Sequence, residues 1–327
     1  MTNTDSDMPV SGITVIICTW NRAEQLRTTL QSISRQELPP GVDVEVLVVD
    51  NNSKDHTRRA VEEMQSSWPL GVLSYLFEPR QGKQFALNTG IAAARLGVLA
   101  FTDDDILFPP DWLRQIQRVF SDSGVELAGG KTLIDWTGVP RPAWYGDDML
   151  AVLAGVDDGD ERLDPAPRAF APGGSNLIAR RVTFERFGRY SEAHFRHMDH
   201  EFGMRCHAKG ARVVYDPGLV VHAPVDPACL TPRYFLRWAF KAGIARTGGI
   251  HAAGQLPSVP LWMYRRFLQD AFVLSFKPSL GTPSVFAQRM RKWRDLGAIA
   301  NAWHAWLVPR WHSEWVKRQS QKKNNVY

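Results

Sequence analysis

Cysteine is scarce in this 327-residue chain: Cys18, Cys206 and Cys229 lie far apart, with no CxxC and no metal-ligand spacing. That excludes a disulfide scaffold and suits a reducing compartment. No apolar run reaches the ~18 residues that a membrane-crossing helix needs, and the first ten residues are too acidic and polar for a secretory signal. Internal repeats are missing as well. The expectation is a cytoplasmic protein, or one peripheral on the inner face of the cell membrane.

What is present is ordinary globular material: 44% hydrophobic and 22% charged residues, enough for a large α/β domain with an appendage. The net charge of +5 conceals an uneven distribution. From Thr231 onward there are 16 Lys and Arg against three acids, and seven of the 12 Trp. The body is therefore acidic and the tail basic and Trp-rich.

Ile13–Cys18 and Val44–Val49 are continuous apolar, β-branched runs of the kind that form buried parallel strands. Val72–Phe77 and Val98–Thr102 read as two more strands. Between them lie helical stretches after Asn21, from Asp55 to Gln65, and from Lys83 to Arg95; Asp111–Phe120 follows. Asn21 with Glu24 has the spacing of a capping box. Alternating strands and helices predict a mostly parallel, Rossmann-like sheet flanked by helices. Glu126–Ile134 reads as a further strand, Tyr145–Pro172 as a long loop, Arg181–Phe187 and His200–Lys209 as helices, and Arg212–Tyr215 as a strand. After Pro232 a helical extension is broken at Gly248-Gly249, Pro257–Pro260 and Pro278–Pro283.

Ligands of such sheets bind beyond the carboxyl ends of the strands. Three polar clusters fall there: Thr19-Trp20-Asn21-Arg22, Asp50-Asn51-Asn52, and Asp103-Asp104-Asp105. If the last remains extended, Asp103 and Asp105 share one side and Asp104 faces the other. Two converging carboxylates repel unless a cation lies between them, and hard oxygen ligands suit Mg²⁺ or Mn²⁺. A solvated acidic turn is the competing structural explanation.

The segments TVIICTWNR, VLVVDNNS, GKQFALNTG and FTDDDILFPPDWL, in that order, resemble the inverting family 2 glycosyltransferases of GT-A fold, over roughly Ile13 to His222. The resemblance implies a nucleotide-sugar donor held by a divalent metal, Mn²⁺ or Mg²⁺. It implies a flexible tail at 1–12, a GT-A domain at 13–225 (nucleotide-binding half 13–125, acceptor half 126–225) and a basic helical region at 226–327. Thr19 and Asp50 match nucleoside-pocket positions, and Asn21, Arg22, Asn52, Asn88 and Asp104 accompany them in donor binding. Lys83 matches the motif lysine that approaches the nucleotide, while Leu87 stands where many relatives carry an arginine. Asp103 corresponds to the ribose side and to the metal, Asp105 to the principal metal ligand, and His222 to a metal or diphosphate ligand. Gly174 and Asn176, in Gly173-Gly174-Ser175-Asn176, match the glycine-rich turn near donor sugar and acceptor, although such glycines equally mark an ordinary turn. In His197-Met198-Asp199-His200-Glu201, Asp199 matches the catalytic base, with Glu201 as the second candidate and Met198 in place of the motif's first acid. His194, His197 and His200 lie close by in sequence. A helix N-cap is the structural alternative for Asp199.

The implied activity is transfer of a sugar, most simply from a UDP-sugar, to a hydroxyl of a glycan or lipid-linked acceptor in cell-surface polysaccharide or glycolipid assembly. The C-terminal Arg, Lys and Trp suit an anionic membrane surface, or equally a helical cap with buried Trp; no nucleic-acid recognition motif accompanies them. Two rivals remain: a sugar-phosphate nucleotidyltransferase and a non-catalytic binding protein on the same fold. The first expects a glycine-rich phosphate loop after the first strand, and Thr19–Arg22 contains no glycine.

Overall fold

The structure, a computed structural model, describes residues 10–38, 40–192, 197–247, 259–277 and 281–321. Most of the tail assigned to 1–12, together with His194, Gly248-Gly249 and Pro278, lies outside them. Two compact units are present: one runs to Asp135 and resumes at Ala154–Pro224, and the other comprises Trp136–Leu153 and the chain from Val225.

The first unit contains β1 (Gly12–Thr19), α1 (Ala23–Ile33), β2 (Asp43–Asp50), α2 (Thr57–Gln65), β3 (Val72–Phe77), α3 (Lys83–Ala93), β4 (Val98–Asp103), α4 (Trp112–Phe120), β5 (Leu127–Asp135), β6 (Leu177–Arg180), α5 (Arg181–Phe187), α6 (Met198–Ala208) and β7 (Val213–Pro224). Its seven strands form one sheet in the order β3-β2-β1-β4-β6-β5-β7. Only β6 runs antiparallel to its neighbours, so the sheet is mostly parallel, as the alternating pattern predicts.

The continuous apolar strands are explained by cover on both faces. Ile13, Val15 and Ile17 of β1 join Leu26 and Leu30 of α1 and Trp112 and Ile116 of α4 in one apolar layer. Ile16 and Cys18 point the other way, joining Leu87 and Ile91 of α3 and Phe184 and Phe202 of α5 and α6. The same two-residue alternation along β4 sends Val98 and Ala100 to the first layer and Leu99 and Phe101 to the second. Asp103, two residues past Phe101, therefore emerges on the α3 side. Register brings the polar ends level, because Thr19 pairs with Asp50 and Cys18 with Asp103.

The second unit contains α7 (Pro232–Thr247), α8 (Leu261–Ser275), α9 (Pro283–Leu307) and α10 (Pro309–Gln321), with a 3-10 helix at Asp147–Leu153. Trp136–Leu153, which the sequence boundaries left inside the acceptor half, groups here for a packing reason. Trp144, Tyr145, Met149 and Val152 form an apolar cluster with Phe235 of α7 and Phe286 of α9. Tyr145–Pro172 is thus not one uninterrupted loop.

Backbone meets backbone where α7 crosses α9. A Cβ on Gly243 would come within 2.0 Å of the Arg294 carbonyl oxygen, and one on Gly297 within 2.0 Å of the Phe240 carbonyl oxygen. Ala298, Ala302 and Ala305 continue this small-residue side of α9 inside the unit. Gly297→Ala is expected to force the helices apart and lower stability by about 2 kcal/mol. Urea denaturation followed by tryptophan fluorescence would register the loss. An unchanged midpoint would mean that the crossing can open without cost.

Candidate active site

The cleft at the carboxyl edge of β1 and β4 has a volume of about 380 Å³ and is lined by Cys18, Thr19, Trp20, Arg22, Asn51, Lys83, Asp103, Asp104, Asp105 and Ala154. Six residues singled out in the sequence meet here: Thr19, Arg22, Lys83 and the three aspartates.

Lys83 is the first residue of α3, and Gly82, at φ 146°, is the residue before it. That backbone angle lies in the region glycine tolerates and other residues rarely adopt. The turn is fastened by Asn51, whose Oδ1 accepts from the Gly82 amide at 2.7 Å while its Nδ2 donates to the Arg80 carbonyl at 2.6 Å. Lys83 Nζ forms an ion pair with Asp103. Burial alone would lower the ammonium's pKa; the attraction of Asp103, with help from Cys18 and Asp199, overrides it and raises the pKa well above the usual lysine value. Lys83 is therefore a fixed cation, not a proton donor. Cys18 beside it is no nucleophile, since burial pushes its thiol up to about 12.

The aspartates depart from strict alternation because β4 ends at Asp103 and the chain turns. Asp104 and Asp105 do not oppose each other: Arg22 donates to Asp104 Oδ1 at 3.1 Å and to Asp105 Oδ2 at 2.6 Å from the same nitrogen. Thr19 Oγ1 donates to the other Asp104 oxygen at 2.7 Å. Burial raises the Asp104 carboxyl to about 6 against the opposing charge of Arg22. Asp105 is raised too, first by burial and then by Asp103, with Arg22 pulling downward. Three carboxylates thus share two cations, and the third negative charge is held at a cost. This donor set fits a hard divalent cation that takes few protein oxygens and completes its shell with phosphate and water. Among the described residues no group of three or more His, Cys, Asp and Glu is placed to hold a metal ion by itself. His222 stands near the turn through backbone alone: it and Leu107 exchange hydrogen bonds of 2.8 Å in both directions.

Several candidates are occupied elsewhere. Asn21 does not cap α1. It adopts φ 53°, its Oδ1 accepts from the Lys54 amide, and Asp55 Oδ2 accepts from the Ala23 amide at the start of the helix. Asp50 accepts from Tyr75 Oη and the Ser53 amide, both at 2.8 Å. Asn52 donates to the Pro79 carbonyl and accepts from Lys54 Nζ. Asn88 exchanges two hydrogen bonds with the Tyr190 backbone. Asn176 is buried, accepting from Trp112 Nε1 and donating to the Lys131 and Leu219 carbonyls. Expected at the donor, its amide instead ties β6 to β5, β7 and α4.

Asp199 is the second residue of α6 and not its cap; His197 precedes the helix in a left-handed conformation. Asp199 Oδ2 accepts from the Gly174 amide at 2.8 Å, and a Cβ on Gly174 would lie 3.1 Å from that oxygen. The carboxylate's charge raises the pKa of Lys83 and of Tyr190. Glu201 is instead clasped by Arg205 in two hydrogen bonds of 2.8 and 3.0 Å, and Arg205 reaches on to the Phe187, Gly188 and Arg189 carbonyls. Glu201 thus fixes Arg205 within α6, and Arg205 ties that helix to the end of α5. Met198 is buried in the apolar layer, where a carboxylate would have no water.

Sequence reasoning missed Glu78. It accepts from the Arg80 amide and guanidinium at 2.9 Å and from Thr89 Oγ1 at 2.6 Å, and these bonds hold its carboxyl down at about 2. The Pro79–Gly82 turn that presents Lys83 rests on this network. Its only sequence sign was an acid directly after an apolar strand.

The family model described as Glycosyl transferase family 2 matches residues 14–144. Glycosyltransferase AglE of Haloferax volcanii is 34% identical over 119 residues, 36% of this chain and 38% of its own length. Succinoglycan biosynthesis protein ExoM of Rhizobium meliloti is 24% identical over 233 residues, 71% of this chain and 72% of its own. In fold, the chain is similar to mannosyltransferase PcManGT from Pyrobaculum calidifontis, solved with GDP-Man and Mn²⁺. The TM-score is 0.52 at 20% identity, covering 97% of this chain and 86% of that one. The motif-bearing strands lie inside the matched segment, residues 14–144, and the chain shares the GT-A fold of that solved structure.

Proposed function

We propose that the protein is a divalent-metal-dependent, inverting glycosyltransferase. It moves a sugar from a nucleoside-diphosphate donor to a hydroxyl of a glycan or lipid-linked acceptor during cell-surface polysaccharide or glycolipid assembly. The observation that carries the proposal is the meeting of Arg22, Lys83 and three aspartates in one cleft.

Asp103 and Asp105 would hold the cation, with His222 close by on the backbone ladder. A divalent ion held by these residues, Mn²⁺ or Mg²⁺, would neutralise charge building on the departing diphosphate. Lys83 and Arg22 supply fixed positive charge to the same phosphates. Thr19 orients Asp104, and Asn51 and Glu78 hold the turn that carries Lys83. Asp199 takes the proton of the acceptor hydroxyl while that oxygen bonds to the sugar's anomeric carbon; the bond to the diphosphate breaks and its electrons leave with the nucleotide. The Gly174 amide keeps the Asp199 carboxylate turned for this role. PcManGT with GDP-Man and Mn²⁺ supports a nucleotide sugar and a divalent ion as ligands. ExoM supports polysaccharide assembly as the setting.

Thermal-shift titration with UDP-, GDP- and dTDP-sugars is expected to give stabilisation by one base class, present with Mn²⁺ and lost with chelator. No shift with any donor in Mn²⁺ would overturn the proposal. A shift without later nucleotide release would favour the non-catalytic binding protein.

A further inference from the structure

Helix α8 is amphipathic in the reverse sense for a soluble protein. The side it turns to α9 carries charge: Arg266 makes a two-bond ion pair with buried Asp295 at 2.8 and 2.6 Å, and buried Asp270 accepts from Arg291 at 2.8 and 2.7 Å. Its outward side carries apolar bulk. Leu261, Leu268, Phe272 and Phe276 are 85, 64, 69 and 76% exposed, with Trp262 beside them. With Arg265 they follow helical spacing along one stripe, and Phe272 packs edge-on against Phe276. No helix among the described residues is long and apolar enough to cross a membrane, so this stripe suits burial at a surface, not a span.

Charge identifies the occupant. Of the three acids beyond Thr231, two are consumed in the pairs just described, and Glu314 is paired with Arg318 at 2.5 Å. Arg265 stands exposed within the apolar stripe, and Lys277 lies just past the end of the helix. A second copy docked face to face would bring two Arg265 side chains together in an apolar seam, a costly arrangement. Anionic headgroups give the same arginine a partner while Leu and Phe enter the acyl boundary.

We propose that α8 is an interfacial helix that seats this protein on an anionic lipid bilayer through Leu261, Trp262, Leu268, Phe272 and Phe276, with Arg265 at headgroup level. This goes beyond the glycosyl-transfer reading and does not depend on it, because it rests on the second unit alone.

The test is co-sedimentation of the full chain with vesicles of phosphatidylcholine alone and of equimolar phosphatidylcholine and phosphatidylglycerol. Binding is expected on the anionic vesicles, weakening with added salt. It should fall about 100-fold in the double variant Leu268→Glu/Phe272→Glu and about tenfold in Arg265→Glu. Both variants change exposed side chains, and circular dichroism with a thermal melt verifies that they fold. Donor-induced thermal shift, measured on the same samples, reads the active site separately and is expected to be unchanged. Three results would overturn the proposal: no binding to the anionic vesicles, undiminished binding by the double variant, or a stable dimer that this variant splits while vesicles capture neither form.

Discussion

Asp199→Asn is expected to reduce sugar transfer about 10³-fold while donor affinity stays within about twofold. The change is nearly isosteric, and the new side-chain oxygen still accepts from the Gly174 amide, which holds the present carboxylate at 2.8 Å. What disappears is the capacity to take a proton. The loss should therefore appear in kcat, with the donor KM almost unmoved, because Asp199 acts on the acceptor hydroxyl and not on the nucleotide. Steady-state transfer paired with calorimetric donor binding separates the two quantities. Full turnover by the variant would move the base elsewhere; Glu201 is a poor replacement because Arg205 occupies both of its oxygens.

The second large effect is expected from Asp105→Asn. Donor affinity in Mn²⁺ should fall at least about tenfold, transfer about 10²-fold or more, and chelator should then change little. Stability should move the other way. Burial and Asp103 hold the Asp105 carboxyl above its ordinary value, which means the fold tolerates its charge poorly. A neutral amide removes that repulsion while still able to meet Arg22, so the melting temperature is expected to be equal or higher. Activity loss with an undiminished melt identifies a residue kept for its ligand; a collapsed melt would instead make Asp105 a structural partner of Arg22.

The sheet was legible because its strands are buried on both faces and therefore written as unbroken apolar runs. The same evenness hid β6, four residues long and antiparallel, and also the joining of Trp144 and Tyr145 to Phe235 and Phe286, since nothing local marks a pairing across so many residues. Around the cleft, the acid triplet was conspicuous for its density, but its geometry followed from where β4 stops. Asn21, Asn88 and Asn176 resembled ligand contacts because side-chain amides serve backbone and ligand alike; only their partners tell the uses apart. Glu78 escaped notice for the converse reason, as one acid whose value lies entirely in Arg80 and Thr89.

The crossing at Gly243 and Gly297 carries a further implication for how this chain can vary. Because the two helices touch through main-chain atoms, α9 cannot rotate or slide against α7, and its opposite flank is committed to Arg266 through Asp295. Inserting a single residue between Asp295 and Gly297 would turn one flank by roughly 100° relative to the other, so that one partner or the other is missed. Length changes in this unit are thus confined to its connections, and side-chain diversity to the outward positions.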